Sequence, residues 1–134
     1  MKLHDLHHVL TGYAADWTGE AEIAAWELGA GCGGHVAAWI LNAAALQYGL
    51  FIAPRAVLAA MARGRRSRSL YEARELDESM LEEPVGDARA RLGIPEDTKP
   101  GIADVVALAA WWIGTFVMWT APLAGVVSLV RSAL

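Results

Sequence analysis

The sequence predicts an all-α protein, with a metal site between its first two helices and a long apolar helix in its C-terminal part. Three observations support this class. The chain has 134 residues, 55% of them hydrophobic. It is rich in alanine and leucine, which favour helices, and it shows no alternating pattern typical of strands. The apolar share exceeds the usual ~45–50%, so we expect a dry core, a partner chain or a lipid phase to take up the excess.

The first predicted helix runs from about Leu3 to Thr11 and stops at Gly12, because glycine favours helix ends. After a turn, a second helix begins near Thr18 and continues until a glycine-rich stretch at residues 29–34 interrupts it. These glycines do not follow a strand, so they do not fit a phosphate-binding loop. They predict close helix packing or a hinge.

Residues 36–54 carry no charge, and a helix that is apolar on all faces is either a core helix or a membrane helix. Another helix is predicted over Ala56–Ala62, followed by an arginine cluster at residues 63–68. That cluster fits anionic lipid headgroups or the diphosphate of a substrate. It equally fits a solvated helix end that the helix dipole favours. Arg65 and Arg66 are the substrate-binding candidates in this cluster.

The C-terminal third divides into a short helix around Asp87–Leu92, a proline-containing linker at 96–101 and an apolar helix at 102–134. The helical domain would then occupy residues 1–95. Residues 105–130 form a run of 26 positions without a charge, and about 20 apolar residues span a bilayer core. We expect a membrane anchor here; the alternative is an apolar hairpin, broken at Pro122, that packs on the core or on a partner.

Four residues near the start of the chain form a candidate metal site. His4 and His8 are four apart, so on a helix they lie on one face. Asp5 precedes His8 by three positions, and Glu20 comes from the start of the next helix. Such a mixed nitrogen and oxygen set suits zinc, iron, manganese or cobalt better than calcium. His7 could replace His4 or His8 as a ligand. The alternative to a metal site is that this histidine-rich stretch is exposed to solvent and binds nothing.

Other features of the sequence indicate which substrate contacts, partners and cellular compartment to expect. Tyr13 and Trp17 lie between the proposed ligands in sequence, which makes them candidates for the wall of a substrate site. The net charge of −4 gives no reason to expect nucleic acid as a partner. Cys32 is the only cysteine, so no internal disulfide forms and a reducing compartment is expected.

The sequence HDLHH at 4–8, followed by eleven residues and Glu20, resembles the HDxxH…E signature of a ubiquinone (coenzyme Q) biosynthesis family called Coq-four. The neighbouring sequence VLTGY at 9–13 and the Gly-Glu pair at 19–20 are also similar. Further on, RGRR at 63–66 and DARARLGI at 87–94 resemble later segments of that family. The resemblance covers about Leu3 to Pro95.

The resemblance implies an all-helical fold in which His4, Asp5, His8 and Glu20 bind a divalent metal ion. It implies action on a polyprenylated benzoquinone precursor at a membrane, by oxidative removal of the ring carboxylate at C1, with Glu20 as the catalytic candidate. The alternative is a non-catalytic organiser of the ubiquinone-biosynthesis complex that binds prenyl lipid. Partners would be other proteins of that pathway and further copies of the chain. In a bacterium, the protein would lie on the cytoplasmic side of the inner membrane.

The sequence departs from the family pattern in two places. Members usually carry a helical N-terminal half before the motif, which here begins at residue 4. We therefore expect that half to come from another chain, a dimer partner or an upstream segment. The apolar segment from Val105 onward is not typical of the family, and it suggests a built-in membrane anchor.

Overall fold

The computed structural model describes residues 2–72 and 77–133, without the side chains of residues 2, 123–129 and 133. Over these ranges the chain forms α-helices and one 3₁₀ turn, with no strand, which confirms the all-α prediction. The helices are α1 Lys2–Thr11, α2 Trp17–Ala30, α3 Val36–Ile52, α4 Pro54–Gly64, α5 Ser79–Glu82, α6 Val85–Leu92 and α7 Ile102–Ala133, and the 3₁₀ turn is Leu70–Glu72.

Helix α2 is the centre of the fold and packs against both α3 and α4. Ile23 and Trp26 of this helix are fully buried. Glycine lets α4 approach closely: a Cβ atom on Gly64 would lie 2.1 Å from the carbonyl oxygen of Trp26, and one on Gly29 would lie 2.8 Å from that of Met61. For Gly29, the prediction of close helix packing is therefore confirmed.

Two arginines hold the C-terminal end of α1. The last carbonyl groups of a helix have no partner within the helix, and cations near them are favourable. Arg63 of α4 donates to the carbonyl oxygen of Thr11 at 2.8 Å, and Arg89 of α6 donates to that of Leu10 at 2.6 Å. Helix α1, which carries the histidines, is thus tied to two other helices.

Helices α3 and α7 leave much apolar surface exposed. The segment Ile102–Pro122 is long and apolar enough to cross a membrane, with a mean hydropathy of 1.7, and only 17% of its most apolar window is buried within the chain. A core helix of a soluble protein would be mostly buried. A groove of about 570 Å³ runs between α3 and α7, where the rings of Trp39 and Trp111 stack at 5.4 Å.

Candidate metal centre

Helices α1 and α2 bring His4, His8 and Glu20 together, with one ligand atom from each inside a group no wider than 4.8 Å. The Nε2 atom of His4 lies 3.4 Å from Glu20 Oε2, and the Nε2 atom of His8 lies 3.4 Å from Glu20 Oε1. The two Nε2 atoms are 3.3 Å apart. These three residues could hold a metal ion, as the sequence predicted for them.

The loop before α2 places Glu20 opposite the histidines. Asp16 caps the helix by accepting a hydrogen bond from the backbone N–H of Gly19 at 2.8 Å, an arrangement that favours helix starts. A Cβ atom on Gly19 would lie 1.8 Å from the carbonyl oxygen of Ala14, so only glycine fits this tight turn. Glu20 consequently lies in the first turn of α2, close to the face of α1 that carries His4 and His8.

Hydrogen bonds to the other ring nitrogens orient both histidines. His4 Nδ1 is 2.9 Å from Glu27 Oε1, and His8 Nδ1 is 3.1 Å from the carbonyl oxygen of Tyr13. A carbonyl or carboxylate oxygen only accepts, so both Nδ1 atoms carry protons. In the neutral rings both Nε2 atoms then present lone pairs, and these face each other and the Glu20 carboxylate.

Three electron-rich atoms so close together attract positive charge. The hydrogen bond with Glu27 is the main cause that raises the pKa of His4, and it outweighs the opposing effect of burial. The cation can be a proton or a metal ion. Two imidazole nitrogens and one carboxylate are a common ligand set for zinc and for non-haem iron, so the residues present fit the divalent metal that the motif implies.

Glu27 is a buried carboxylate next to this centre, and the sequence reading did not identify it. Its side chain accepts hydrogen bonds from His4, His7, Asn42 and Tyr71. Burial by itself would raise the pKa of Glu27, but the hydrogen bonds with His4 and His7 outweigh it and lower that pKa to about 2. The available signal was the spacing of seven from Glu20, which puts both glutamates on one face of α2.

His7 has a structural role and is not one of the proposed metal ligands. It is fully buried. Its Nδ1 atom donates to Glu27 Oε1 at 2.7 Å, and its Nε2 atom accepts the backbone N–H of Leu70 at 2.8 Å. Both ring nitrogens are therefore used, and His7 connects α1 to the 3₁₀ turn without replacing His4 or His8 as a ligand.

Asp5, the fourth ligand that the motif implies, lies elsewhere on α1. It is exposed to solvent, and it is not a member of the group formed by His4, His8 and Glu20. Its role as a ligand stays a prediction of the resemblance.

Of the two aromatic residues predicted for the wall, only Tyr13 has a contact with a proposed ligand. Tyr13 supplies the carbonyl oxygen that orients His8, and the guanidinium of Arg63 lies 5.4 Å from the centre of its ring. Trp17 is 76% exposed, and its ring packs edge-on against Tyr48 at 5.8 Å. Tyr13 and Trp17 are not among the residues that line the groove next to the proposed metal ligands.

The arginines predicted to bind substrate are engaged in ion pairs. Arg65 Nε lies 3.1 Å from Asp104 Oδ1, and Arg66 Nη2 lies 3.0 Å from Asp104 Oδ2. Asp104 is buried in the first turn of α7. The two ion pairs therefore attach the segment just after α4 to α7, and neither arginine lines the groove next to the proposed metal ligands. A contact with substrate stays a prediction.

An open groove of about 440 Å³ adjoins the proposed ligands. His4 and Glu20 form part of its wall, next to Tyr71 and Asn42. The rest of the wall is mainly small and apolar: Ala24, Val36, Ala37, Ala38, Leu41 and Ala45. The candidate metal centre thus adjoins a mostly apolar groove, which is lined mainly by side chains of α2 and α3.

Comparison with protein-family models gives no match for this chain, and neither does comparison with curated proteins or with solved structures. The likeness to the Coq-four family therefore depends on the quoted residues, above all His4, Asp5, His8 and Glu20.

Proposed function

We propose that the chain is a metal-dependent protein of ubiquinone biosynthesis that removes the ring carboxylate of a polyprenylated precursor by oxidation at C1. The observation that carries this proposal is the convergence of His4 Nε2, His8 Nε2 and the Glu20 carboxylate, together with the position of His4 and Glu20 in the wall of a mostly apolar groove. The HDxxH…E resemblance supplies the substrate class.

His4, His8 and Glu20 would hold the ion. When bound, a divalent metal ion supplies Lewis-acid polarisation of a ring carboxylate or phenolate. Three protein ligands are the number found in catalytic sites that keep a position for substrate. The Glu20 side chain is 46% exposed, so a substrate in the groove can reach the centre.

The walls of the groove suit the two ends of such a substrate. The polar side chains of His4, Glu20 and Asn42 line the groove, and we expect them to bind the charged aromatic ring. The small apolar residues of α3 leave room for the prenyl tail, and each buried methylene of that tail contributes about 0.8 kcal/mol. Glu20 is the catalytic candidate because its partly exposed carboxylate can accept a proton beside the bound ring.

Membrane attachment through α7 is part of the proposal. The precursor is a lipid, and the exposed apolar faces of α3 and α7 would place the groove close to the bilayer from which that lipid comes. A stretch of about 20 predominantly apolar residues suffices to span the hydrocarbon core, and the apolar segment Ile102–Pro122 is 21 residues long.

Purified protein loaded with Zn²⁺, Fe²⁺, Mn²⁺ or Co²⁺ in turn, with a prenylated hydroxybenzoate and dioxygen, provides the test. We expect carbon dioxide, a C1-hydroxylated product and hydrogen peroxide in equal amounts, because dioxygen takes up the two electrons that the precursor loses and water supplies the second oxygen atom needed for balance. The Glu20→Gln variant should show no turnover. In cells, Glu20→Ala should accumulate the carboxylated precursor. Normal ubiquinone levels in that variant would contradict the proposal.

The second candidate is a non-catalytic organiser that binds prenyl lipid and partner enzymes. The extensive exposed apolar surface of α3 and α7 favours it, because such patches mark protein or membrane contacts. It predicts that His4 or Glu20 variants lose assembly of the complex, while the pure metal-loaded protein never turns over substrate with any of the four metals.

A further inference from the structure

Glu27 is the point where four elements of the fold meet. Oε1 is 2.9 Å from His4 Nδ1 and 2.7 Å from His7 Nδ1, both on α1. Oε2 accepts from Asn42 of α3 and, at 3.0 Å, from the hydroxyl of Tyr71 in the 3₁₀ turn. We propose that Glu27 is a positioning residue of the metal centre, which holds His4 in the tautomer that binds metal and which never ligates the ion.

The hydrogen bonds of Glu27 exclude it from direct ligation. A carboxylate offers about four lone-pair positions on its two oxygens, and the four donors fill them. The side chain is fully buried, whereas Glu20 is 46% exposed beside the Nε2 atoms. The two glutamates of α2 therefore have different roles. Glu20 would bind the ion, and Glu27 would orient the His4 ring through its Nδ1 atom.

The group that orients His4 differs in charge from the group that orients His8. A carboxylate bonded to the outer nitrogen of a metal-binding histidine fixes the ring and raises its basicity. His4 has such a carboxylate, whereas His8 donates to the neutral carbonyl oxygen of Tyr13 at 3.1 Å. Loss of the charge on Glu27 should therefore weaken metal binding through His4.

A purely structural role for Glu27 makes a different prediction. Glutamine has the same shape, and its amide oxygen can still accept from His4 and His7. Its NH₂ group would face Asn42 and Tyr71, whose amide and hydroxyl can rotate to accept. Glu27→Gln thus keeps the connections and removes the charge. A structural role alone predicts unchanged metal affinity in every Glu27→Gln molecule that folds.

Calorimetric titration of the full chain in detergent with Co²⁺ and Zn²⁺ tests the proposal, which rests on the proposed metal-dependent function. We expect Glu27→Gln to weaken binding about 10–100-fold, the range for outer-shell partners. Glu22→Gln is the matched control, because Glu22 lies on the same helix and is not in the group formed by His4, His8 and Glu20. Binding by Glu27→Gln within about threefold of wild type would overturn the positioning role.

The two proposals fail in different ways. If wild-type protein binds none of the four ions Zn²⁺, Fe²⁺, Mn²⁺ and Co²⁺, the metal-dependent function is wrong. If wild type binds, Glu20→Gln does not, and Glu27→Gln binds normally, only the role of Glu27 is wrong. Long-range ¹H–¹⁵N NMR of metal-free wild type gives a measurement that needs no variant. At about pH 9, above the ordinary imidazole pKa, the proton of His4 should be on Nδ1, and a proton on Nε2 would overturn the proposal.

Discussion

The guanidinium of Arg63 donates a hydrogen bond of 2.8 Å to the backbone carbonyl oxygen of Thr11, the last residue of α1. The same side chain donates from Nε to the carbonyl oxygen of Pro95 at 2.8 Å. One arginine of α4 therefore fixes both the helix that carries the histidines and the segment that leads to α7. The position of the candidate metal ligands on α1 thus depends on a residue outside their group.

Replacement of Arg63 by alanine should loosen α1. Hydrogen bonds to charged groups contribute about 1.5–3 kcal/mol each, so we expect the free energy of unfolding to fall by about 2–3 kcal/mol. Urea denaturation in mild detergent measures this change. Arg55→Ala is the control, because Arg55 is exposed on the same helix; its effect should stay within about 0.5 kcal/mol. Equal losses of unfolding free energy in the two variants would contradict a stabilising hydrogen bond between Arg63 and α1.

Asp5 and Glu20 should differ in their effect on metal binding. Glu20 is in the group that could hold the ion, whereas Asp5 is exposed outside it. We expect Glu20→Gln to weaken Zn²⁺ binding more than about 100-fold, beyond the range of outer-shell residues. Asp5→Asn should change it less than about threefold. Metal analysis after gel filtration and calorimetry measure both, and equal losses would show that Asp5 ligates the bound ion as the motif implies.

Gly64→Ala should disturb the packing of α4 on α2. The added methyl group would lie 2.1 Å from the backbone carbonyl oxygen of Trp26, and a backbone atom cannot rotate away. Overpacking costs typically 1–3 kcal/mol, so we expect at least about that loss in thermal or urea unfolding. Gly86→Ala, in α6, has open space around the new methyl group and should stabilise by up to about 1 kcal/mol. Similar effects of both substitutions would contradict the close approach.

Charges on the exposed face of α7 should release the chain from membranes. Ile113 and Val117 are 55% and 54% exposed, and a lysine at the centre of a membrane helix costs about 2.5–3.5 kcal/mol. We expect wild type to stay in the membrane pellet after carbonate washing and Ile113→Lys/Val117→Lys to appear in the supernatant. Leu81→Lys, at a 60% exposed position of α5, should behave as wild type. Extraction of wild type by carbonate would indicate that α7 packs on a protein partner instead.

Local sequence patterns predicted most of the helices. The stop at Gly12, the uncharged stretches that became α3 and α7 and the short helix before Gly93 all depend on neighbours within a few positions. Helix α4 begins at Pro54, two residues before the predicted start at Ala56. Proline is favourable in the first turn because its missing N–H is not needed there.

The side-chain partners were harder to predict than the helices. Arg65 and Arg66 looked available for an anionic ligand, yet Asp104, which pairs with both, lies 38 positions after Arg66. Glu27 was not identified from the sequence, because only the approach of α1, α3 and the 3₁₀ turn surrounds it with donors. Pairings over such separations depend on how the helices pack.

The sequence by itself determined the helical class and the ligand spacing, because residues four apart on a helix share a face whatever lies around them. It also determined that α7 is long and apolar enough to cross a bilayer, since length and composition decide that property. Only the tertiary structure decided that Glu20 meets the two Nε2 atoms, that His7 points into the core and that Glu27 stands behind His4. Those relationships depend on the positions of α1 and α2 relative to each other, which distant residues such as Arg63 and Gly64 set.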